Sequence, residues 1–219
     1  MLAHERPGVE LIVQQKEGGP TPILRISWSA FFALIDECIL MIVDSGWTPD
    51  QVVAVTFGGI LPGRAISEVL GIPLAYFGAE SYEARRPGDR EKTLRGARVH
   101  FDRHLLKTRP GFGSNVIVAE DLTDTGFTLT EGIPWLQRSP KYGTAIQSIK
   151  TVCLWRKEAS VAHPDFTVDE VVPVQPNGIT QPMIPWIRQP LEELYSVPTI
   201  ADIRARVRAT MKDDEQVLR

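Results

Sequence analysis

Cysteine is nearly missing from this chain: Cys38 and Cys153 are the only two in 219 residues, and both sit in apolar runs. Two thiols cannot make a disulfide framework, so the sequence predicts buried free thiols in a reducing compartment. An excess of charge is missing too. The formal net charge of −3 gives no electrostatic footing for a nucleic-acid partner. No apolar run is long enough to span a bilayer, since the longest, at residues 30–43, is broken by Asp36 and Glu37. The first residues lack the charged-then-apolar pattern of a secretory signal. Together these absences predict a cytoplasmic protein with neither a membrane nor a nucleic-acid partner. Internal repeats and low-complexity tracts are also absent.

Hydrophobic residues make up 43% of the chain, enough for a sizeable core without staples. The length fits one domain with embellishments. Residues 1–24 are punctuated by Gly and Pro and read as an N-terminal extension, with one strand at 9–13. Ser27 caps a helix over 28–45. Strands follow at 52–56, 72–77, 115–119 and 146–155. They alternate with helices at 63–70, closed by Gly71, and from the turn after Ala119 to about Gln137. This alternation predicts an α/β fold with a doubly wound, mainly parallel sheet flanked by helices. Residues 79–113 are basic, weakly periodic and punctuated by Pro-Gly pairs, so they read as a mobile loop. The Pro-rich stretch after Trp155 reads as irregular structure over one sheet edge. Residues 199–212 read as a charged amphipathic terminal helix within a C-terminal segment at 196–219. The apolar first helix predicts a homodimer or higher homo-oligomer.

The most informative run begins at Val116: Val-Ile-Val-Ala-Glu-Asp-Leu-Thr-Asp-Thr-Gly-Phe-Thr-Leu. A buried strand leads to two carboxylates, Glu120 and Asp121, and then to a polar turn, Asp124-Thr125-Gly126-Phe127-Thr128, which opens a helix. Ligands of open α/β sheets bind where strands end and helices begin. A helix N-terminus offers unpaired N–H groups to a phosphate. Gly126 lets the backbone come close, and Thr125 and Thr128 carry hydroxyl donors. The acids would repel a phosphate, so they face sugar hydroxyls or a Mg²⁺ ion. The segment therefore predicts a ribose 5-phosphate site. No Gly-Lys-Ser/Thr follows, which excludes a Walker-type loop.

This run resembles the phosphoribosyl-diphosphate signature of type I phosphoribosyltransferases, with Thr123 standing where an aliphatic residue is usual. The resemblance extends over about residues 28–194 and implies a phosphoribosyltransferase-like domain at 25–195 with a small C-terminal hood at 157–195. A second strand-to-helix turn, Phe57-Gly58-Gly59, matches the turn that holds diphosphate in that family. There the residue before the glycines is often basic and the peptide bond often cis. Here it is Phe57, so Arg64 or Mg²⁺ is expected to supply the missing positive charge. Ser81 and Tyr82 resemble a Ser-Tyr pair that opens a closing loop in purine phosphoribosyltransferases.

The tail resembles the base-binding segment of xanthine and hypoxanthine-guanine phosphoribosyltransferases. That likeness implies Lys157 as donor to a purine 6-oxo group, Trp186 as stacking partner and the Ile187 carbonyl as acceptor. It also implies Glu192 as an acid that helps Glu120 and Asp121 hold Mg²⁺, and Asp124 as a carboxylate near purine N7. Phe127 stands where the hypoxanthine-guanine enzymes often have Lys. The implied partners are phosphoribosyl diphosphate and a purine base, with Mg²⁺ as cofactor. A phosphoribosyltransferase for another base, and a non-catalytic nucleotide-binding regulator, remain the alternatives.

Overall fold

The structure, a computed structural model, describes residues 1–16, 19–82, 98–101, 105–177, 180–195, 199–202 and 204. Its centre is a sheet built on five parallel strands. In spatial order these are β4 (Leu74–Tyr82), β3 (Gln51–Thr56), β7 (Asn115–Thr123), β8 (Ser148–Lys157) and β9 (Phe166–Val171). Two short strands, β5 (Arg98–Phe101) and β6 (Leu106–Lys107), pair antiparallel with β4 at the edge. The parallel strands are apolar on both faces, as a sheet covered on both sides requires. Val52, Ala54, Leu74, Ile117 and Ala119 bury against helices α1 (Trp28–Asp44) and α2 (Ile60–Leu70). Val53, Val55, Ala75, Phe77, Val116 and Val118 bury on the other side with Leu129 and Leu136 of α3 (Phe127–Arg138). The doubly wound, mainly parallel fold expected from the alternation is the one observed.

Local signals act where the sequence places them. The Ser27 hydroxyl accepts the Ala30 N–H at the start of α1, satisfying a donor that has no partner inside the helix. Gly71 closes α2 in the left-handed region, at φ 68°. Thr199 and Asp202 exchange hydrogen bonds where the described part of the terminal helix begins. No helix among the described residues is long and apolar enough to cross a membrane.

Several expectations are corrected. The N-terminal 24 residues carry two strands. β1 (Val9–Lys16) and β2 (Gly19–Ile26) form an antiparallel hairpin, and β10 (Trp186–Arg188) adds to β2 in parallel. Leu24, Ile26 and Ile187 bury in the same cluster as α1, so this small sheet shares the main core. Helix α2 starts at Ile60 rather than Gly63, because Pro62 falls in its first turn, where its missing N–H costs nothing. Residues 79–113 are not one loop: β4 runs through Tyr82, and β5 and β6 pair back onto it. Residues 83–97, the middle of the stretch expected to be mobile, and 205–219, most of the expected terminal helix, lie outside the described residues. The Pro-rich tail also carries more order than expected, in β9 and in the short helix α4 (Pro190–Tyr195).

β9 is held by the chain's first residues. Arg6, with its side chain almost wholly buried, donates to Asp169 of β9 at 2.5 and 2.9 Å and to Glu37 of α1 at 2.7 and 2.8 Å. One guanidinium thus joins three segments distant in sequence through two bidentate pairs, the geometry in which arginine binds carboxylates best.

Candidate active site

The parallel register brings three strand ends together. Ala54 of β3 lies opposite Ala119 of β7, and Glu120 and Thr123 of β7 lie opposite Cys153 and Arg156 of β8. The turn after β3, the acidic end of β7 and the last residue of β8 therefore share one edge of the sheet, where α/β proteins bind ligands.

Glu120 and Asp121 lie within β7 rather than beyond it, and both are partly buried. Burial lifts the Glu120 carboxyl well above the usual carboxylate range, and the charge of Asp121 adds to that. Burial also raises Asp121, while a hydrogen bond from the Gln189 side chain opposes the rise. Glu120 Oε2 is buried without a hydrogen-bond partner among the described residues. A buried, unpaired carboxylate oxygen costs free energy unless a ligand completes it.

That orphaned oxygen suits Mg²⁺. Hard carboxylate oxygens are its preferred protein ligands, and it commonly takes only one or two of them beside a substrate phosphate. Glu120 and Asp121 meet that requirement. Glu192 approaches the pair: burial raises its carboxyl, and the charge of Asp121 contributes. Even so, among the described residues no three acidic, His or Cys side chains gather closely enough to hold a metal by themselves.

The turn after β7 is shaped for close approach. Gly126 has φ +85°, and a Cβ there would overlap the Ala162 backbone and come within 2.7 Å of Ser160 Oγ. The cap residue Gly126 has no side chain to satisfy the first N–H groups of α3, and the Phe127 N–H reaches the Thr125 hydroxyl only at 3.5 Å. The Val161 N–H donates to the Thr125 carbonyl at 3.0 Å. Arg156 fixes that neighbouring loop through the carbonyls of Ala162 at 3.1 Å and Ser160 at 3.4 Å. Sequence reasoning missed this support, because Arg156 beside Lys157 carries no local signal. Gly126→Ala is expected to lower the melting temperature and to weaken ribose 5-phosphate binding at least ten-fold. The left-handed backbone alone costs about 1–3 kcal/mol without glycine. Unchanged ribose 5-phosphate affinity, measured by calorimetry, would remove the turn from the site.

At the β3 turn the Thr56–Phe57 peptide bond is cis, as the resemblance implied. A Cβ on Gly58 would overlap the Asp121 carboxylate, and one on Gly59 would overlap the Ala119 carbonyl. Both glycines are needed for the turn to lie against β7. Phe57 itself is 85% exposed. Arg64 is not gathered into this turn. Its guanidinium pairs with Glu68 at 2.7 Å, one helical turn further along α2, beside a groove that includes Gly71 and Leu74. Ser81 and Tyr82 are the last residues of β4, opposite Val99 and Arg98.

Asp124, Lys157 and Trp186, separated by up to 62 positions, gather around the Lys157 ammonium. Lys157 Nζ lies 2.8 Å from Asp124 Oδ1 and 5.4 Å from the centre of the Trp186 ring. Lys157 is buried, whereas Trp186 keeps 43% of its surface exposed. The indole N–H of Trp186 donates to Glu192 at 3.3 Å. Ile187 is buried opposite Leu24. Lysine, aromatic ring and loop carboxylate thus converge, with Lys157 and Asp124 paired to each other.

Comparison with known proteins bears on the family and the fold. The family model described as the phosphoribosyl transferase domain matches residues 27–184. The fold resembles that of a purine phosphoribosyltransferase from Pyrococcus horikoshii Ot3 (22% identity, TM-score 0.57), over 81% of this chain and 97% of that one. It also resembles the xanthine-guanine-hypoxanthine phosphoribosyltransferase of Helicobacter pylori (16% identity, TM-score 0.57), over 80% and 99%. A third similar structure is a hypothetical protein from Neisseria gonorrhoeae with bound ppGpp (17% identity, TM-score 0.53), over 85% and 97%. No curated protein matches the chain.

Proposed function

The chain belongs to the phosphoribosyl transferase domain family, and from that premise we propose that it moves the 5-phosphoribosyl group of phosphoribosyl diphosphate onto a 6-oxopurine. The products are a nucleoside monophosphate and diphosphate. The observation that carries the base assignment is the convergence of Lys157, Asp124 and Trp186. An ammonium donor suits a 6-oxo group and opposes the 6-amino group of adenine, which is itself a donor. An aromatic face beside it suits a planar base.

In this reading the N–H groups at the start of α3 and the hydroxyls of Thr125 and Thr128 hold the 5-phosphate. Asp121 and Glu120 hold the ribose hydroxyls. The backbone of the Phe57-Gly58-Gly59 turn faces the diphosphate. Mg²⁺ bound through Glu120 and Asp121 would neutralise charge on the departing diphosphate. Purine N9 attacks C1 of the ribose as the C1–O bond to diphosphate breaks. Trp186 holds the plane of the base while Lys157 fixes its O6. Asp124 accepts or stabilises the ring proton near N7. Much of the rate comes from this positioning.

The direct test mixes the protein with phosphoribosyl diphosphate, Mg²⁺ and guanine, xanthine or hypoxanthine, and follows diphosphate release. Asp121→Asn should weaken both phosphoribosyl-diphosphate binding and turnover while leaving the fold intact. Unchanged kinetics in that variant would sink the ribose assignment. One observation favours a second reading: the diphosphate turn carries an exposed Phe57, and Arg64 pairs elsewhere. A protein that binds these ligands without releasing diphosphate would be a nucleotide-binding regulator on the same fold.

A further inference from the structure

Gln189 joins the acidic end of β7 to the segment that follows β10. It follows β10 directly, its side chain is 7% exposed, and its amide nitrogen donates to Asp121 Oδ2. Its carbonyl accepts the Glu192 N–H at 3.0 Å, so the main chain is fixed around it. On another side Asp121 meets the Gly58 backbone, which leaves no room even for a methyl group. The charge of Asp121 raises the carboxyls of Glu120 and Glu192, and Arg188 opposes the rise in Glu192. Among the described residues Gln189 is the one side chain that donates to Asp121, and no Lys or Arg pairs with it. A neutral donor suits this place. A lysine would neutralise the carboxylate, and a glutamate would repel it.

The same segment bears the base side. Trp186 stands three residues before Gln189, over Lys157, and its indole reaches Glu192, three residues after. Any ligand that holds Asp121 therefore also holds the anchor of the strand carrying Trp186.

We propose that Gln189 is a positioning residue that locks Asp121 to strand β10, so that filling the ribose side prepares the base side and the two ligands bind cooperatively. The proposal rests on the phosphoribosyl reading of this site. It predicts reciprocal coupling, with each ligand raising the affinity for the other by on the order of ten-fold.

The test is a double-mutant cycle read by calorimetry, with Mg²⁺ and phosphoribosyl diphosphate as one probe and 9-deazahypoxanthine, which lacks the reacting nitrogen, as the other. Gln189→Met keeps the length of the side chain and removes the donor. It should weaken phosphoribosyl-diphosphate binding roughly ten-fold and abolish the coupling, while binding of the base analogue alone stays near that of the wild type. Because Gln189 acts through Asp121, the double variant with Asp121→Asn should bind no more weakly than Asp121→Asn alone. Additive losses, or coupling retained in Gln189→Met, would overturn the proposal while leaving the phosphoribosyl reading in place. A wild-type protein that binds neither probe would overturn that reading and this proposal with it. Should Gln189→Met fail to fold, Gln189→Asn withdraws the amide by one methylene and carries the same cycle.

Discussion

Arg6→Ala should destabilise the protein by about 3–5 kcal/mol, the usual cost of removing one partner from a buried ion pair. Asp169 is fully buried in β9, and the substitution leaves its carboxylate with the N-terminal ammonium, 3.7 Å from Oδ1, in place of the closer guanidinium. Glu37 contributes less, since its side chain is 46% exposed and water can take over from the lost partner. Denaturant midpoints at neutral pH measure the effect. A companion variant separates the charge from the packing. Arg6→Met with Asp169→Leu removes both charges, so it should recover much of the loss of Arg6→Met alone. A loss below about 1 kcal/mol in Arg6→Ala would mean that Asp169 finds another donor.

The cluster also has a pH signature. Hydrogen bonds from Arg6 hold the Glu37 carboxyl below its usual range. A depressed folded-state pKa contributes stability above the unfolded value, near 4.3 for glutamate, and loses it as pH falls through the folded value. The gap between wild type and Arg6→Ala should therefore narrow in acid.

Asp169 also explains why β9 escaped the sequence. Phe166-Thr-Val-Asp-Glu-Val reads as polar at its centre, and the residue that neutralises Asp169 lies 163 positions away. The partner of a buried charge is not visible in a local window. β2 escaped for a different reason. Pro20 and Pro22 argue against a strand, yet β10 pairs only with Ile23 to Arg25, so neither proline has to donate to it. What was legible was the part whose rules are local: the capped first helix, the alternation of apolar strands with helices, and the strand-acid-glycine-helix run from Val116. Family resemblance carried Lys157 and Trp186 to one place, and the structure brings them together beside Asp124. Neither source gave Gln189 or Arg156. Their contacts cross between elements, and a single polar residue next to a proline or a lysine carries no period or spacing.

Lys157→Ala and Trp186→Ala should separate recognition of the base edge from recognition of its face. In the proposed site Trp186 would offer its ring to any purine, so its loss should weaken all bases alike, by the roughly 1–3 kcal/mol that stacking on an aromatic side chain is worth. Lys157 should discriminate. Its ammonium would donate to a 6-oxo group, and hydrogen bonds to charged groups contribute about 1.5–3 kcal/mol, or roughly 10- to 150-fold in kcat/KM. Lys157→Ala should cost that much with guanine, xanthine or hypoxanthine. With adenine it should cost little or even help, because it removes a donor facing a donor. The fold should survive, since Asp124 is left half-exposed and water can solvate the carboxylate that Lys157 abandons. In the proposed reaction Lys157 turns from Asp124 toward the base before an oxopurine binds. Asp124→Asn should therefore loosen that pair and lower the KM for the base, even as it removes the carboxylate proposed near N7 and reduces kcat. Relative kcat/KM values on one oxopurine and on adenine decide the matter. If Lys157→Ala leaves oxopurine use untouched, or if the wild type already prefers adenine, the 6-oxopurine assignment is wrong. The phosphoribosyl reading would survive either result, because it stands on Glu120, Asp121 and the turn from Asp124 to Thr128.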